Sequence, residues 1–398
     1  MIASKFHIFA LACSLSFFIS KQAYPQSPAK TASKTPSTMP HNAQAQKSLE
    51  IFSKQLTQLI PIIQDPKSFF HTNQDAPIKQ QIHAVRQLAH SLKFDRPSTS
   101  ANQIYRFVFP YLDQDLAMIE KLFQQGEKPL ARHLLEKNIR MCLDCHTRRK
   151  ESQHMIFQHQ PASLSSWSNL QKARYFAATW NFAESIRYYE YALSNKQFSQ
   201  NTAEWLHSLK QLISIVIRFQ KNPSLAMEMS RVFIHHKTAP SQLVQVLNSW
   251  SQAAEEWRKE TSFPRTRLAK IQKLEELYKK GMEKEKARPH TGTIEMLRAH
   301  NLALSILEEG MFDALYGQAL YWAATLAESS RDTNLWTLDT SLYEACVRFQ
   351  PHTDFAQKCL IKLEREYQEF AKLSQRKMLP QILQLRLQRL RELAQPKR

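Results

Sequence analysis

Residues 141 to 150 read Met-Cys-Leu-Asp-Cys-His-Thr-Arg-Arg-Lys, so Cys142, Cys145 and His146 stand in the order C-x-x-C-H. Two thiols three residues apart on one helical turn can add to the two vinyl groups of a haem. The adjacent imidazole is then delivered to one face of the iron as axial ligand. With 5 Cys and 15 His in 398 residues, the triplet arises by chance roughly 0.002 times per chain. A zinc site would need a fourth ligand, which His133, His154 or His159 could offer, but no second tight Cys/His pair follows. A thioredoxin-like disulfide catalyst needs the motif at a helix start after a strand, whereas here it ends a helical pattern. The reading is one covalent haem c on Cys142 and Cys145, with His146 on the iron.

The rest of the chain must position that motif. It holds only 5 Gly, no two of them within six residues. That excludes the G-x-G-x-x-G turn and the Walker loop, and with them nucleotide and dinucleotide folds. It also removes the positive-φ turn chemistry on which hairpins depend. The expected fold class is all-α, a helical haem bundle followed by a TPR-like array of helical repeats.

The charge balance, 54 Lys and Arg against 35 Asp and Glu, gives +19. Such a surplus suits nucleic acid, but the N-terminus points to another compartment. Lys5 precedes an apolar run from Phe6 to Ile19, too short to span a bilayer unaided and suited to export. Residues 1–23 therefore read as a signal peptide, or as an uncleaved anchor because Lys21 spoils the cleavage site before Ala23. A lipoprotein reading at Cys13 is weaker, since Ala10 stands where a lipobox has Leu. Each version makes the mature chain extracytoplasmic, periplasmic in a bacterium, with no nucleic-acid partner. Residues 24–46, rich in Pro, Ser and Thr, read as a disordered linker.

Residues 47–155 carry four helical patterns. Leu49, Phe52, Leu56, Ile60 and Ile63 mark a first helix over 47–63. Pro77 opens a second, with Ile78, Ile82, Val85, Ala89 and Leu92 on one stripe. The third covers roughly 101–125, with Phe109, Leu112, Leu116, Ile119 and Phe123 inward, and Gly126 ends it. The fourth runs from Pro129 to about Lys150, where Leu135, Ile139, Cys142 and His146 share a face.

Four helices with the haem motif near the end of the last resemble the class II c-type cytochromes, the cytochrome c-prime group. The resemblance covers about residues 47–150 and implies Cys142 and Cys145 as attachment sites and His146 as axial ligand. This chain departs from the group in two places. Thr147-Arg148-Arg149-Lys150 lacks the aromatic that tends to follow the motif. The helix from Lys47 to Ile63 also lacks the Met that members with a sixth ligand supply from it. His83, His90 and Met118, each on the border of an apolar stripe, remain as candidate distal ligands beside an open position.

Residues 168–371 read as TPR-like helical repeats. Ala173, Phe176, Ser185, Tyr189 and Ala192 follow the tetratricopeptide spacing, and Tyr343, Cys346 and Pro351 make a second match. Cys346 and Cys359 flank the turn at Pro351–Asp354, where an oxidising compartment favours a disulfide. Residues 372–398 form a basic C-terminal helix with Leu383, Leu387, Leu390 and Leu393 on one stripe. It reads as a cap on the array or as a contact for an acidic partner or an anionic membrane surface.

The sequence thus predicts an exported monohaem cytochrome, a redox or haem-sensing module whose repeats bind a protein partner, with a redox partner among the candidates. Electron transfer or haem-based binding fits better than catalysis. The rival readings are a peroxidase-like haem enzyme with an open distal site, and an assembly factor whose haem staples the bundle.

Overall fold

The computed structural model describes residues 51, 54–55, 58–63, 66–91, 112–147, 162–237, 239–310, 313–329, 339–373 and 378–396. Among these residues the fold is all-α, without a strand. The signal peptide and linker expected over 1–46 lie outside the described residues. Contacts gather Ala43–Arg398 into one compact unit. No helix among the described residues is long and apolar enough to cross a membrane.

Short helical pieces at 58–63 and Pro66–Phe70 precede α1 (Asp75–Ser91), α2 (Leu112–Gln124) and α3 (Lys128–Thr147). The apolar stripes read from the sequence are the buried ones: Ile78, Ile82, Val85 and Ala89 on α1, and Leu112, Leu116, Ile119 and Phe123 on α2. Gly126, at φ +81°, makes the left-handed residue that reverses the chain between α2 and α3. The amides of Gly126 and Glu127 donate back to the carbonyls of Phe123 and Leu122, so the helix end keeps its hydrogen bonds.

Helices α4 (Asn169–Ala178), α5 (Phe182–Leu193), α6 (Thr202–Ile215), α7 (Pro223–His235) and α8 (Val244–Lys259) come next. They lead into α9 (Arg267–Ala287), α10 (Thr293–Glu308), α11 (Ala314–Ser329), α12 (Asp339–Phe349), α13 (Asp354–Leu373) and α14 (Gln381–Ala394). From α9 onward each helix packs on the next, and most also reach the one after that. Asn or Ser starts many of them. Ser168 and Gln171 form a reciprocal capping box on α4, and Asn181, Asn201 and Asn222 cap α5, α6 and α7. With so few glycines, left-handed positions fall to other residues, namely Trp180, Lys221, His290 and His352.

Close packing rests on small groups at defined places. Ala173, Phe176, Ser185, Tyr189 and Ala192 are all buried, and the Ser185 hydroxyl donates to the Ala173 carbonyl at 2.8 Å. At the turn between α9 and α10, a β-carbon on Gly292 would stand 2.2 Å from the Gly281 carbonyl oxygen. The two backbones touch there in a way only glycine permits.

Cys346 on α12 and Cys359 on α13 are joined in a disulfide, both fully buried, with α-carbons 6.2 Å apart. Labelling of denatured, unreduced protein should find neither thiol reactive, and reduction should expose both. A loop of this size makes the bond worth about 3 kcal/mol. Alkylation of either cysteine before reduction would contradict the assignment.

Candidate functional site

Cys142, Cys145 and His146 occupy the last two turns of α3, which runs to Thr147. The C-x-x-C-H triplet is therefore helical. The side chains of residues 139–147 lie outside the described ones, so the site is located by the helix that carries it and by the register of its neighbours.

That register follows from ion pairs. His83 and Arg86 on α1 meet Glu120 on α2 at 2.9 and 2.8 Å, and His90 lies 3.4 Å from Asp113. Later residues on α1 thus meet earlier ones on α2, and the two helices are antiparallel. The Gly126 turn makes α2 and α3 antiparallel as well, so α1 and α3 run the same way. Lys128 at the start of α3 contacts Asp75 at the start of α1, 2.7 Å apart.

From those matched starts, His90 lies 90 − 75 = 15 residues along α1 and Cys142 lies 142 − 128 = 14 along α3. Both stand about 21–23 Å up the bundle at 1.5 Å per residue. His83, seven residues earlier, falls about 10 Å short of that level. Met118 also falls short. Lys137 on α3 feels the charge of Asp115 on α2, so Met118, three residues nearer the turn, is level with about residue 134.

Exposure separates the candidates further. Met118 is buried in the core, whereas the His83 and His90 side chains are 52% and 77% exposed. Burial works against the Glu120 charge, but hydrogen bonds from Arg86 and His83 outweigh it and hold that carboxyl below its ordinary pKa. His83, its own ring half exposed, is thus tied to the buried Glu120 carboxylate. Of the three distal candidates, only His90 stands at the level of the motif.

Sequence reasoning missed a buried charge cluster one turn and a half below Cys142. Arg386 of α14 contacts Asp115 of α2 and, at 2.8 Å, Glu344 of α12, while Arg348 meets Glu344 at 2.8 Å. Lys137, almost wholly buried, shares this cluster from α3. Burial lowers the Lys137 pKa, and the carboxylates of Asp115, Glu344 and Asp339 only partly restore it. Burial by itself would raise Glu344, yet Arg386, Lys137 and Arg348 outweigh it and bring its pKa to about 2. The signal was present in the pattern, since Asp115 and Arg386 both sit on apolar stripes, between Leu112 and Leu116 and between Leu383 and Leu387. The motif-bearing bundle and the C-terminal helix are consequently locked together by charge.

The Leu383, Leu387 and Leu390 stripe of α14 is buried, with α12 and α13 as its neighbours. No group of three or more His, Cys, Asp or Glu side chains gathers as a metal cluster among the described residues. No known protein family, curated protein or solved structure matches the chain significantly.

Proposed function

We propose that the chain is an exported c-type cytochrome that carries one haem on Cys142 and Cys145, with His146 as axial ligand. The observation that carries this reading is the C-x-x-C-H triplet in the final turns of α3, the last helix of an antiparallel bundle. A two-thiol, one-imidazole donor set on a single helix end fits a covalent haem better than a metal cluster that needs converging side chains. Haem would supply one-electron redox chemistry and an axial position for a small ligand.

The protein's own residues decide what that position does. Between residues 47 and 147, His and Met occur only at His71, His83, His90, Met118, His133, Met141 and His146. His71, His83, Met118 and His133 lie below the level of the motif, and Met141 shares a turn with Cys142. His90 is left, and it is exposed and engaged with Asp113. A haem held by Cys142, Cys145 and His146 would therefore keep a position for a diatomic ligand, or would exchange electrons with a partner. The helical array beyond residue 168 is the surface offered to such a partner, in keeping with extended stacks of helices elsewhere.

Protein matured with a cytochrome c assembly system should show a haem Soret band that disappears when Cys142 and Cys145 are both replaced by Ser. Carbon monoxide should shift the band of the reduced form readily, and His90→Ala should leave that response unchanged. A low-spin reduced spectrum indifferent to carbon monoxide would contradict the open site. If His90→Ala then restored the response, His90 would be the sixth ligand.

A further inference from the structure

The helices from α4 to α10 hold two adjoining cavities unrelated to the C-x-x-C-H motif. At the end of α6 the backbone widens into a π turn, Val216–Gln220, and Lys221 follows at φ 51° and ψ 38°. π turns of this kind recur at functional sites. Trp180, after α4, is also left-handed at φ 60°. Neither position carries the glycine that such a backbone favours. Both residues line the same cavity of about 290 Å³, together with Arg218, Phe219 and Asn301.

A second cavity, of about 220 Å³, shares Lys221 and Asn301 with the first and is walled by Trp257 and Phe263. The two spaces therefore meet at one cation and one amide. Each carries two aromatic rings, Trp180 and Phe219 in the first and Trp257 and Phe263 in the second. The Phe219 ring lies 4.9 Å from Trp180 and stacks on Phe182 at 4.3 Å.

Charge selects the kind of molecule. Arg298 covers Trp257 at 4.9 Å and is neutralised by Glu260 at 2.6 Å, which also meets Lys273 at 3.5 Å. Arg218 and Glu308, one cation and one anion, both line the first cavity. Lys221 has no ion pair among the described residues, and the Asn301 side chain has no hydrogen bond there. An ammonium and an amide donor thus face space bounded by aromatic rings. Each volume alone is below the roughly 300 Å³ at which small-molecule sites begin, and the two adjoining spaces together pass it.

We propose that these paired cavities bind a small organic anion with a flat aromatic body, an aryl carboxylate in chemical class. Its carboxylate lies between Lys221 and Asn301, and its ring packs against Trp180 and Phe219. The anion replaces water on Lys221 with a paired charge, and the ring removes apolar surface from solvent.

Calorimetric titration of the full chain with naphthalene-2-acetate tests this, with the neutral naphthalene-2-acetamide as isostere. One site per chain is expected, with the acetate bound at least tenfold tighter than the amide. Lys221→Gly, which suits the left-handed backbone and keeps the fold, should reduce acetate affinity at least tenfold and leave the thermal midpoint unchanged or higher. The Cys142→Ser, Cys145→Ser protein should bind the acetate as the parent does, so this outcome stands apart from the haem assignment. Absent saturable binding, equal affinity for acetate and amide, or an unaltered Lys221→Gly protein would each overturn the site. So would loss of binding in the double cysteine variant, which would move the ligand to the haem motif.

Discussion

Replacing Arg386 by Met should destabilise the fold by about 3–5 kcal/mol, because it leaves two buried carboxylates without their common cation. Asp115 and Glu344 have only 3% and 6% of their side chains exposed, and Arg386 itself 15%. In that setting the penalty of an unpaired charge exceeds the modest value of an exposed ion pair such as Lys372–Glu369, worth about 0–1 kcal/mol. The pH dependence follows from Glu344. Its folded pKa is depressed to about 2 from an ordinary value of 4.5. It therefore contributes stability that is present above the ordinary value and is lost as pH falls through about 2. Without Arg386 the carboxyl moves back up, so acid should cost the variant less than the parent. Urea melts at pH 7 and pH 3 should show a deficit that shrinks on acidification. A deficit under 1 kcal/mol at pH 7, or one that grows in acid, would show that the cluster is not the lock described.

Trp250→Ala should destabilise the protein by about 3–5 kcal/mol, the range for emptying a large aromatic site in a core. Trp250 is fully buried on α8, and its indole N–H donates to the His290 carbonyl at 2.6 Å. That carbonyl also accepts the Thr293 hydroxyl at 2.9 Å, while Glu285 accepts the His290 amide at 2.7 Å. The indole thereby pins a left-handed turn between α9 and α10, where His290 takes φ 72°. Trp250→Phe, which retains most of the ring volume, should lose much less, chiefly the hydrogen bond at about 1 kcal/mol. Urea unfolding with an unchanged slope should separate the two variants. Equal losses from Ala and Phe would place the energy in the hydrogen bond and not in the packing.

Much of the helical order was legible because period and punctuation agreed. The pattern opened near Pro77 became Asp75–Ser91, the third ended at Gln124 just before Gly126, and the fourth, read from Pro129, became Lys128–Thr147. Pro and Gly marked those boundaries. The helix Thr202–Ile215 runs on into a π turn, and no residue type signals a backbone widened by a single bond. The disulfide was legible from the placing of Cys346 and Cys359 on either side of one turn.

Long-range charge pairing was harder to read. Asp115 and Arg386 are separated by 271 positions, and a local pattern shows only that each interrupts an apolar stripe, not that they meet. The distal candidates illustrate a related gap. Helical wheels place His83, His90 and Met118 alike on stripe borders, but only the register between helices sets their heights. That register comes from tertiary ion pairs, which brought His90 alone to the level of Cys142.

The cluster also links site to scaffold. Lys137 lies five residues before Cys142 on the same helix, and its carboxylate neighbours are held by Arg386 of the final helix. The end of α3 is therefore set by contacts from both halves of the chain, which would give the proposed haem a fixed position.

The central claim, a haem held by thioethers on α3, is tested most directly by a denaturing gel. Thioether bonds survive denaturant and boiling, unlike coordination alone. Protein matured with a cytochrome c assembly system should keep its haem through the gel and stain for haem peroxidase activity at the position of the chain. The Cys142→Ser, Cys145→Ser protein should run unstained beside it. A parent band that migrates free of haem would contradict the account.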